Sequence, residues 1–421
     1  MRDDLDAGTL DHLLSELARF TAPGAGVTRL AYDFHWLEAH RWLRAEAAAR
    51  GLAATADAAG NLLFHDPSWA PGERSRPVLA VGSHLDSVRE GGRYDGAYGT
   101  IAGLLLAARH RGRPGPPVVG FVTCEEEQSR FGSHMMGARS LLGLIGAAEL
   151  DAVRDGNGVT WRQALAAAAA AGCAAPLGAG DRPVPPLFRA AIALELHIEQ
   201  GPVLESEGLD LGIVEHIAGY RRLRAGLTGA ARHSGTTPPP LRRDALAASA
   251  EIVLAAESLA REAGEPARVT AGNARVSPGL YNVVPGACEI WLEVRHADPG
   301  ALGRLASLLE ERSRDIARRR GIEIVLEEIS RQEPTPLSAE LAARAESLAR
   351  EQGLRHRRMA SGAAHDCMEF ARAGVPALML FVPSRGGISH APDEYTSPEH
   401  LERGLTFAGE LIDRLTREGS S

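Results

Sequence analysis

The 421-residue sequence predicts an α/β protein: a mixed sheet covered by helices and interrupted by a smaller α+β insertion. Two observations carry this. Short apolar runs alternate with helix-period segments through most of the chain, the pattern of a sheet with helices on its faces. Between about residues 215 and 334 the order becomes strand, helix, strand, strand, helix, strand, the ferredoxin-like βαββαβ arrangement. The predicted boundaries are 1–214 and 335–421 for the larger domain and 215–334 for the inserted one.

In chain order, residues 77–83 read as a buried strand, 98–110 as a helix and 117–124 (PPVVGFVTC) as a second strand. The alanine-rich stretch 161–186 reads as a peripheral surface helix followed by a Pro/Gly linker. Residues 190–196 and 375–382 (VPALMLFV) complete the buried strands. Inside the insertion the strands are 220–228, 268–277, 286–296 and 322–329, with helices over 242–263 and 300–320. Leu302, Leu305, Leu309 and Ile316 recur at helical spacing and give the second helix its apolar stripe.

Composition narrows the chemistry. A formal net charge of −8 gives no footprint for nucleic acid or an anionic membrane. Cys124, Cys173, Cys288 and Cys367 lie far apart with no CxxC, so neither a disulfide framework nor a thiolate zinc site is implied. The stretch MRDDLDAGTL lacks an apolar core, and no run is long enough to span a bilayer. The expectation is a soluble, cytoplasmic protein with reduced thiols. All 46 basic residues are arginine. Schiff-base catalysis and a phosphate loop built on lysine are therefore excluded.

In open α/β sheets, ligands bind beyond the carboxyl ends of the strands. The predicted strand ends run into His84 and Asp86, into Glu125, Glu126 and Glu127, into His197, and into GISHAP with His390. One such residue is ordinarily a solvated strand end. Four ends together describe nitrogen and oxygen donors converging on a hard or borderline divalent metal.

The stretches GSHLDSVREGGRYDGAYG, CEEEQSRFG, ELHIEQGPVLE, ARHSGTTP, YNVVPG with LEVRH, SGAAHD and VPSRGGISHAPDEYT carry a resemblance over nearly the whole chain. It resembles the dinuclear metallopeptidase superfamily of carboxypeptidase G and aminoacylase, in the branch of N-carbamoyl-L-amino-acid hydrolase, allantoate amidohydrolase and β-ureidopropionase. ELHIEQGP is the most discriminating piece. The resemblance implies a catalytic larger domain and an inserted domain that serves as lid and dimer contact. It implies two divalent metal ions per subunit (Zn, Mn, Co or Ni), with Asp95 shared, His84 and His197 on one, and Glu127 and His390 on the other.

Two such ions can share a hydroxide as nucleophile. Glu126 matches the general base, Asp86 would hold the second nitrogen of His84, and Glu125 has a structural role. Gly91, Gly92 and Gly96 are read as letting the backbone turn Asp95 back to the metals. Gln200 resembles a residue holding the ureido or amide end, and His233 the histidine that polarises the scissile carbonyl across the dimer. Asn282 and Arg295 match a pair that binds the substrate carboxylate, and His365 is a further substrate contact. Gln128, Pro239 and Ala364 depart from the family pattern. His216, His296 and His356 are read as structural or solvent-facing.

The function so implied is hydrolysis of a linear C–N bond in a small ureido or carbamoyl acid, most of all an N-carbamoyl-L-amino acid, by a homodimer without nucleic acid or membrane partners. The alternatives are allantoate, an N-acyl amino acid or dipeptide, and a ligand-binding relic that has lost its reaction.

Overall fold

A computed structural model describes residues 6–72, 76–181 and 183–418. Residues 1–5 of the acidic amino terminus, Arg182 of the predicted linker and 419–421 lie outside them. The chain divides into two compact units: Met1–Glu215 with Leu337–Met359 and His365–Ser421, and His216–Pro336 with Ala360–Ala364. Among the described residues no helix is long and apolar enough to cross a membrane. The four cysteines are buried and free.

The first unit is built on a mixed sheet in the order Ala53–Ala56, Leu62–His65, Val118–Thr123, Val78–His84, Ala190–Ile198, Ala377–Val382, Leu211–Ile217. The middle four run parallel to one another. Every residue of Val78–His84, Val118–Thr123 and Ala377–Val382 is buried, as expected of strands covered on both faces. Antiparallel partners flank them on either side. Register then decides where chemistry collects: His84 pairs with Thr123, and His197 with Phe381. Four carboxyl ends therefore lie side by side.

The predicted elements correspond closely, with Ala97–His110 as the helix after the first buried strand. The alanine-rich helix differs from expectation. Trp161–Ala170 starts with a capping box between Thr160 and Gln163, and its Trp161, Ala164, Leu165 and Ala168 are buried. Trp161 also donates from its indole nitrogen to the Tyr32 hydroxyl at 3.0 Å. Alanine reads as filler in a sequence, yet here it allows close packing on one side of the helix.

The second unit has the predicted βαββαβ order: Gly219–Thr228, Ala245–Ala263, Arg268–Ser277, Ala287–His296, Pro299–Arg319 and Glu323–Gln332. Its antiparallel sheet runs Glu323–Gln332, Gly219–Thr228, Ala287–His296, Arg268–Ser277. Strict alternation along Ala287–His296 turns Cys288, Ile290, Leu292 and Val294 inward. They share a core with Leu302, Leu305, Leu309 and Ile316 of the second helix. Each such side chain contributes about 1.5–3 kcal/mol relative to exposure. Asp298 caps that helix through the Ala301 N–H, with Pro299 at its first position.

Candidate active site

The site grows from the carboxyl ends of the parallel strands in the first unit. His84 closes its strand and is 1% exposed; His197 is the penultimate residue of the neighbouring one and is equally buried. Each ring is oriented by the main chain. His84 Nδ1 lies 2.9 Å from the Asp86 carbonyl, and His197 Nδ1 lies 2.9 Å from the Ile198 carbonyl. A carbonyl only accepts, so both Nδ1 atoms carry a proton and both Nε2 atoms face the site. This corrects the role expected for Asp86. Its carboxylate oxygen is 4.0 Å from His84 Nδ1, and the side chain instead accepts the N–H groups of Glu126 (3.3 Å) and Glu127 (3.1 Å). Asp86 thus holds His84 with its carbonyl and the acidic turn with its carboxylate.

Asp95 stands at the centre. Its Oδ1 is 3.5 Å from His84 Nε2 and 3.2 Å from His197 Nε2. Its Oδ2 is 3.2 Å from His390 Nε2, and the Gln200 amide donates to it at 2.8 Å. Glu127 Oε2 approaches His390 Nε2 to 3.4 Å. Two groups of three ligand atoms result, each within 4.8 Å of one another: His84, Asp95 and His197, and Asp95, Glu127 and His390. Asp95 belongs to both. A third grouping, Glu195 with His197 and His365, is committed elsewhere. Glu195 accepts from the Ser83 hydroxyl and the Cys367 N–H, both at 2.8 Å.

The electrostatics fit cations. Burial drives the Glu126 carboxyl well above the usual carboxylate range. Burial also lifts Glu127 to about 7, with repulsion from Asp95 adding to it. Asp95 is held well below that range despite its burial, because His197, His390 and His84 hydrogen-bond to it. His390 rises to about 9 through its bond to Asp95. Glu127 Oε1 and Gln200 Oε1 are buried with no hydrogen-bond partner. Crowded carboxylates, an unpaired oxygen among them and two buried imidazoles with Nε2 toward the site suit two divalent ions with nitrogen and oxygen ligands. The two halves differ in access: the His84 and His197 side chains are 1% exposed, the His390 side chain 49%.

Backbone strain gathers at the same place. Glu125, Gln128, Gln200 and His390 have φ of +55 or +56, four of the seven non-glycine residues with positive φ among those described. Glu125 has the structural role expected of it. Its Oε1 accepts the Arg130 N–H at 3.1 Å and the Phe131 N–H at 2.5 Å, closing the loop that positions Glu126 and Glu127. Gln128 has a left-handed φ, a conformation that favours glycine, and its side chain is exposed. Glu126 Oε2 lies 3.8 Å from His84 Nε2. Gly96 adopts φ +65, and a Cβ there would meet His84 Nδ1 at 2.4 Å.

The structure keeps His365 out of the open part of the site. It is 1% exposed and packs edge-on against His197, ring centroids 4.5 Å apart. His233, Asn282 and Arg295 belong to the second unit. There His233 Nδ1 accepts the N–H groups of Gly235 (3.1 Å) and Thr236 (3.2 Å). Its proton therefore sits on Nε2, on an exposed ring. Asn282 lies next to His233, its carbonyl accepting the Ser234 N–H. Arg295 gives Nε to Glu293 (2.5 Å) and Nη1 to the Gly362 carbonyl (2.6 Å), so only the Nη end of its fork can meet another carboxylate. Pro239 opens a short 3-10 turn. His296 accepts the Asp298 N–H, and His356 bonds the Leu354 carbonyl.

Three residues at the site were given no role from the sequence. Ser389 and Glu394 contact Asp95 or its backbone. Arg29, 2% exposed, donates Nε to the Leu85 carbonyl and Nη1 to those of Leu17 and Phe20, bracing the segment after His84. The acidity of HAPDE beside His390 was the available clue for Glu394.

Residues 80–414 match the family described as Peptidase family M20/M25/M40. The chain is 36% identical over 406 residues to an allantoate amidohydrolase of Bacillus subtilis (strain 168), covering 95% of each chain. It is 35% identical over 428 residues to an N-carbamoyl-L-amino-acid amidohydrolase of Paenarthrobacter aurescens, covering 98% of each. A crystal structure of a hydantoinase/carbamoylase-family amidase from Burkholderia multivorans superposes with a TM-score of 0.87 at 30% identity, covering 98% of both chains.

Proposed function

The chain belongs to peptidase family M20/M25/M40, and we propose that it is a metal-dependent amidohydrolase that cleaves the linear C–N bond of an N-carbamoyl-L-amino acid. The observation that carries this reading is Asp95, whose two oxygens serve two separate groups of ligand atoms beside the carboxyl of Glu126.

In this proposal His84, Asp95 and His197 hold one divalent ion, and Asp95, Glu127 and His390 the other. When bound, the pair supplies Lewis acidity and an activated water. Glu126 takes the proton from the attacking water and returns it to the leaving nitrogen. Its elevated proton affinity, produced by burial, suits a group that must first accept and then donate. Gln200 spends its amide N–H on Asp95 and keeps Oε1 unpaired and buried. That oxygen is an acceptor for the terminal NH2 of a ureido group, which an N-acyl substrate lacks. His233 presents Nε2–H to the scissile carbonyl, delivered by a homodimer partner, and Asn282 with the free end of Arg295 receives the substrate carboxylate. Hydrolysis then yields the amino acid and carbamate, which breaks down to carbon dioxide and ammonia.

Allantoate is the second reading, supported by the 36% identity to an allantoate amidohydrolase beside 35% to an N-carbamoyl-L-amino-acid amidohydrolase. Turnover over a panel of N-carbamoyl-L-amino acids, their N-acetyl counterparts and allantoate separates the cases, read as ammonia for the carbamoyl and ureido compounds and as free amino acid for the N-acetyl ones. Turnover confined to the N-acetyl compounds would overturn the ureido reading. Turnover confined to allantoate would replace the first substrate by the second.

A further inference from the structure

We infer that Glu394 is a positioning residue for the shared carboxylate: it ties the turn carrying Asp95 to the loop carrying His390, and so sets the spacing of ligands delivered by two different strand ends. The inference rests on the metal-binding reading above and adds a residue to it.

Glu394 is 5% exposed, and both its oxygens are spent on this one junction. Oε1 accepts the N–H of Tyr94 at 2.9 Å and that of Asp95 at 3.1 Å, which fixes the Asp95 peptide plane. Oε2 accepts from the Ser389 hydroxyl at 2.9 Å. The same hydroxyl lies 3.1 Å from Asp95 Oδ2. Ser389 immediately precedes His390, so the chain Asp95 backbone, Glu394, Ser389, Asp95 side chain closes a ring that includes the His390 loop. A hydroxyl has one proton and cannot serve two carboxylates at once.

Gly92 shows that the backbone makes room for this arrangement. A Cβ at that position would lie 2.0 Å from Glu394 Oε1 and 2.4 Å from its Cβ. Gly92 is not among the glycines with positive φ. Its requirement is space for the carboxylate, not the tight turn read from the sequence. The pairing of Gly92 with Glu394 explains why a buried acid can sit against a backbone turn already crowded with acidic side chains.

The test is calorimetric titration of Mn²⁺ and Co²⁺ into the chelator-stripped full chain, with the visible spectrum of the Co²⁺ form as a geometric readout. Glu394→Ala should weaken one of the two binding events by about 10–100-fold, the range for residues that orient metal ligands. It should also change the Co²⁺ spectrum. Glu394→Gln should restore most of the affinity, since its Oε1 can accept both N–H groups while its NH2 donates to Ser389. Gly92→Ala should reproduce the Glu394→Ala defect, and adding it to Glu394→Ala should cost little more, because the new methyl fills the vacated space.

Wild-type affinity and spectrum in Glu394→Ala would overturn the inference, as would Gly92→Ala effects that add in full to those of Glu394→Ala. Loss of folding in metal-free Glu394→Ala would also overturn it, for the contact would then be a strut of the fold. Fewer than two ions bound by the wild type would instead refute the metal-dependent reading itself.

Discussion

Gly96→Ala is the sharpest probe of how the deep ligand pair is seated. Gly96 has φ 65 and ψ −43, outside even the left-handed well, which L side chains enter reluctantly. Holding alanine there costs on the order of 1–3 kcal/mol. The new Cβ would lie 2.4 Å from His84 Nδ1 and Cε1 and 2.6 Å from Nε2. A carbon contact relaxes near 3.5 Å or more, so the ring or the turn must retreat by about 1 Å. Overpacking of this kind adds roughly 1–3 kcal/mol. The total destabilisation is roughly 2–6 kcal/mol. Retreat also strains the Nδ1 bond to the Asp86 carbonyl and moves Nε2 off Asp95, so metal affinity should drop by about 10–100-fold.

Urea unfolding of metal-free protein reads the first effect, and titration with metal reads the second. Gly303→Ala is the control. It lies within the helix Pro299–Arg319 with nothing within 4 Å of a Cβ, and should be neutral or stabilise by up to about 1 kcal/mol. Wild-type stability and wild-type metal binding in Gly96→Ala would refute the argument that this glycine seats His84.

Glu126→Gln should lower turnover by about two or more orders of magnitude with both metals still bound; loss of a metal instead would mean that Glu126 and Glu127 have exchanged roles. Strong chelation should abolish hydrolysis, and Zn, Mn, Co or Ni should restore it to different extents; full activity in protein shown to be metal-free by elemental analysis refutes the mechanism. His40, fully buried, has its pKa lowered by burial to about 3 from an ordinary 6.5. The unfolded chain therefore binds the extra proton between those values, and stability falls as pH drops through that window. His40→Leu should remove this sensitivity, gaining roughly 2 kcal/mol on the wild type between pH 8 and pH 5, measured by urea unfolding; parallel pH profiles would refute it.

Much of this architecture was readable in the sequence because burial on both faces forces unbroken apolar runs, and four such runs mark the parallel strands. Their ends were readable too, since polar residues after an apolar run fall where the strands stop. Short elements were not. The hairpin Ala53–Ala56 and Leu62–His65 has only four residues a side, too few for a period to show. Nor could spacing reveal which atom of Asp86 serves His84. Position i+2 brings both carbonyl and carboxylate within range, and only the acidic turn's need for an acceptor decides between them. Glu394 was hidden for a similar reason: its partners are backbone N–H groups at Tyr94 and Asp95, and a hydrogen bond to the main chain leaves no trace in the identity of the residue it serves.

The place of Ala377–Val382 between Ala190–Ile198 and Leu211–Ile217 has a consequence for biosynthesis. As the polypeptide leaves the ribosome, residues 216–336 emerge as a nearly self-contained segment and can fold at once. The first unit must wait for the strand that fills its interior slot, with both neighbours presenting unpaired edges meanwhile. Ser389, His390 and Glu394 follow that strand, so a nascent chain can acquire a complete set of ligands only when translation is almost finished. Premature termination before Ala377 would leave an open sheet and a ligand set without His390, a species predisposed to aggregate and with one of its two ligand groups incomplete.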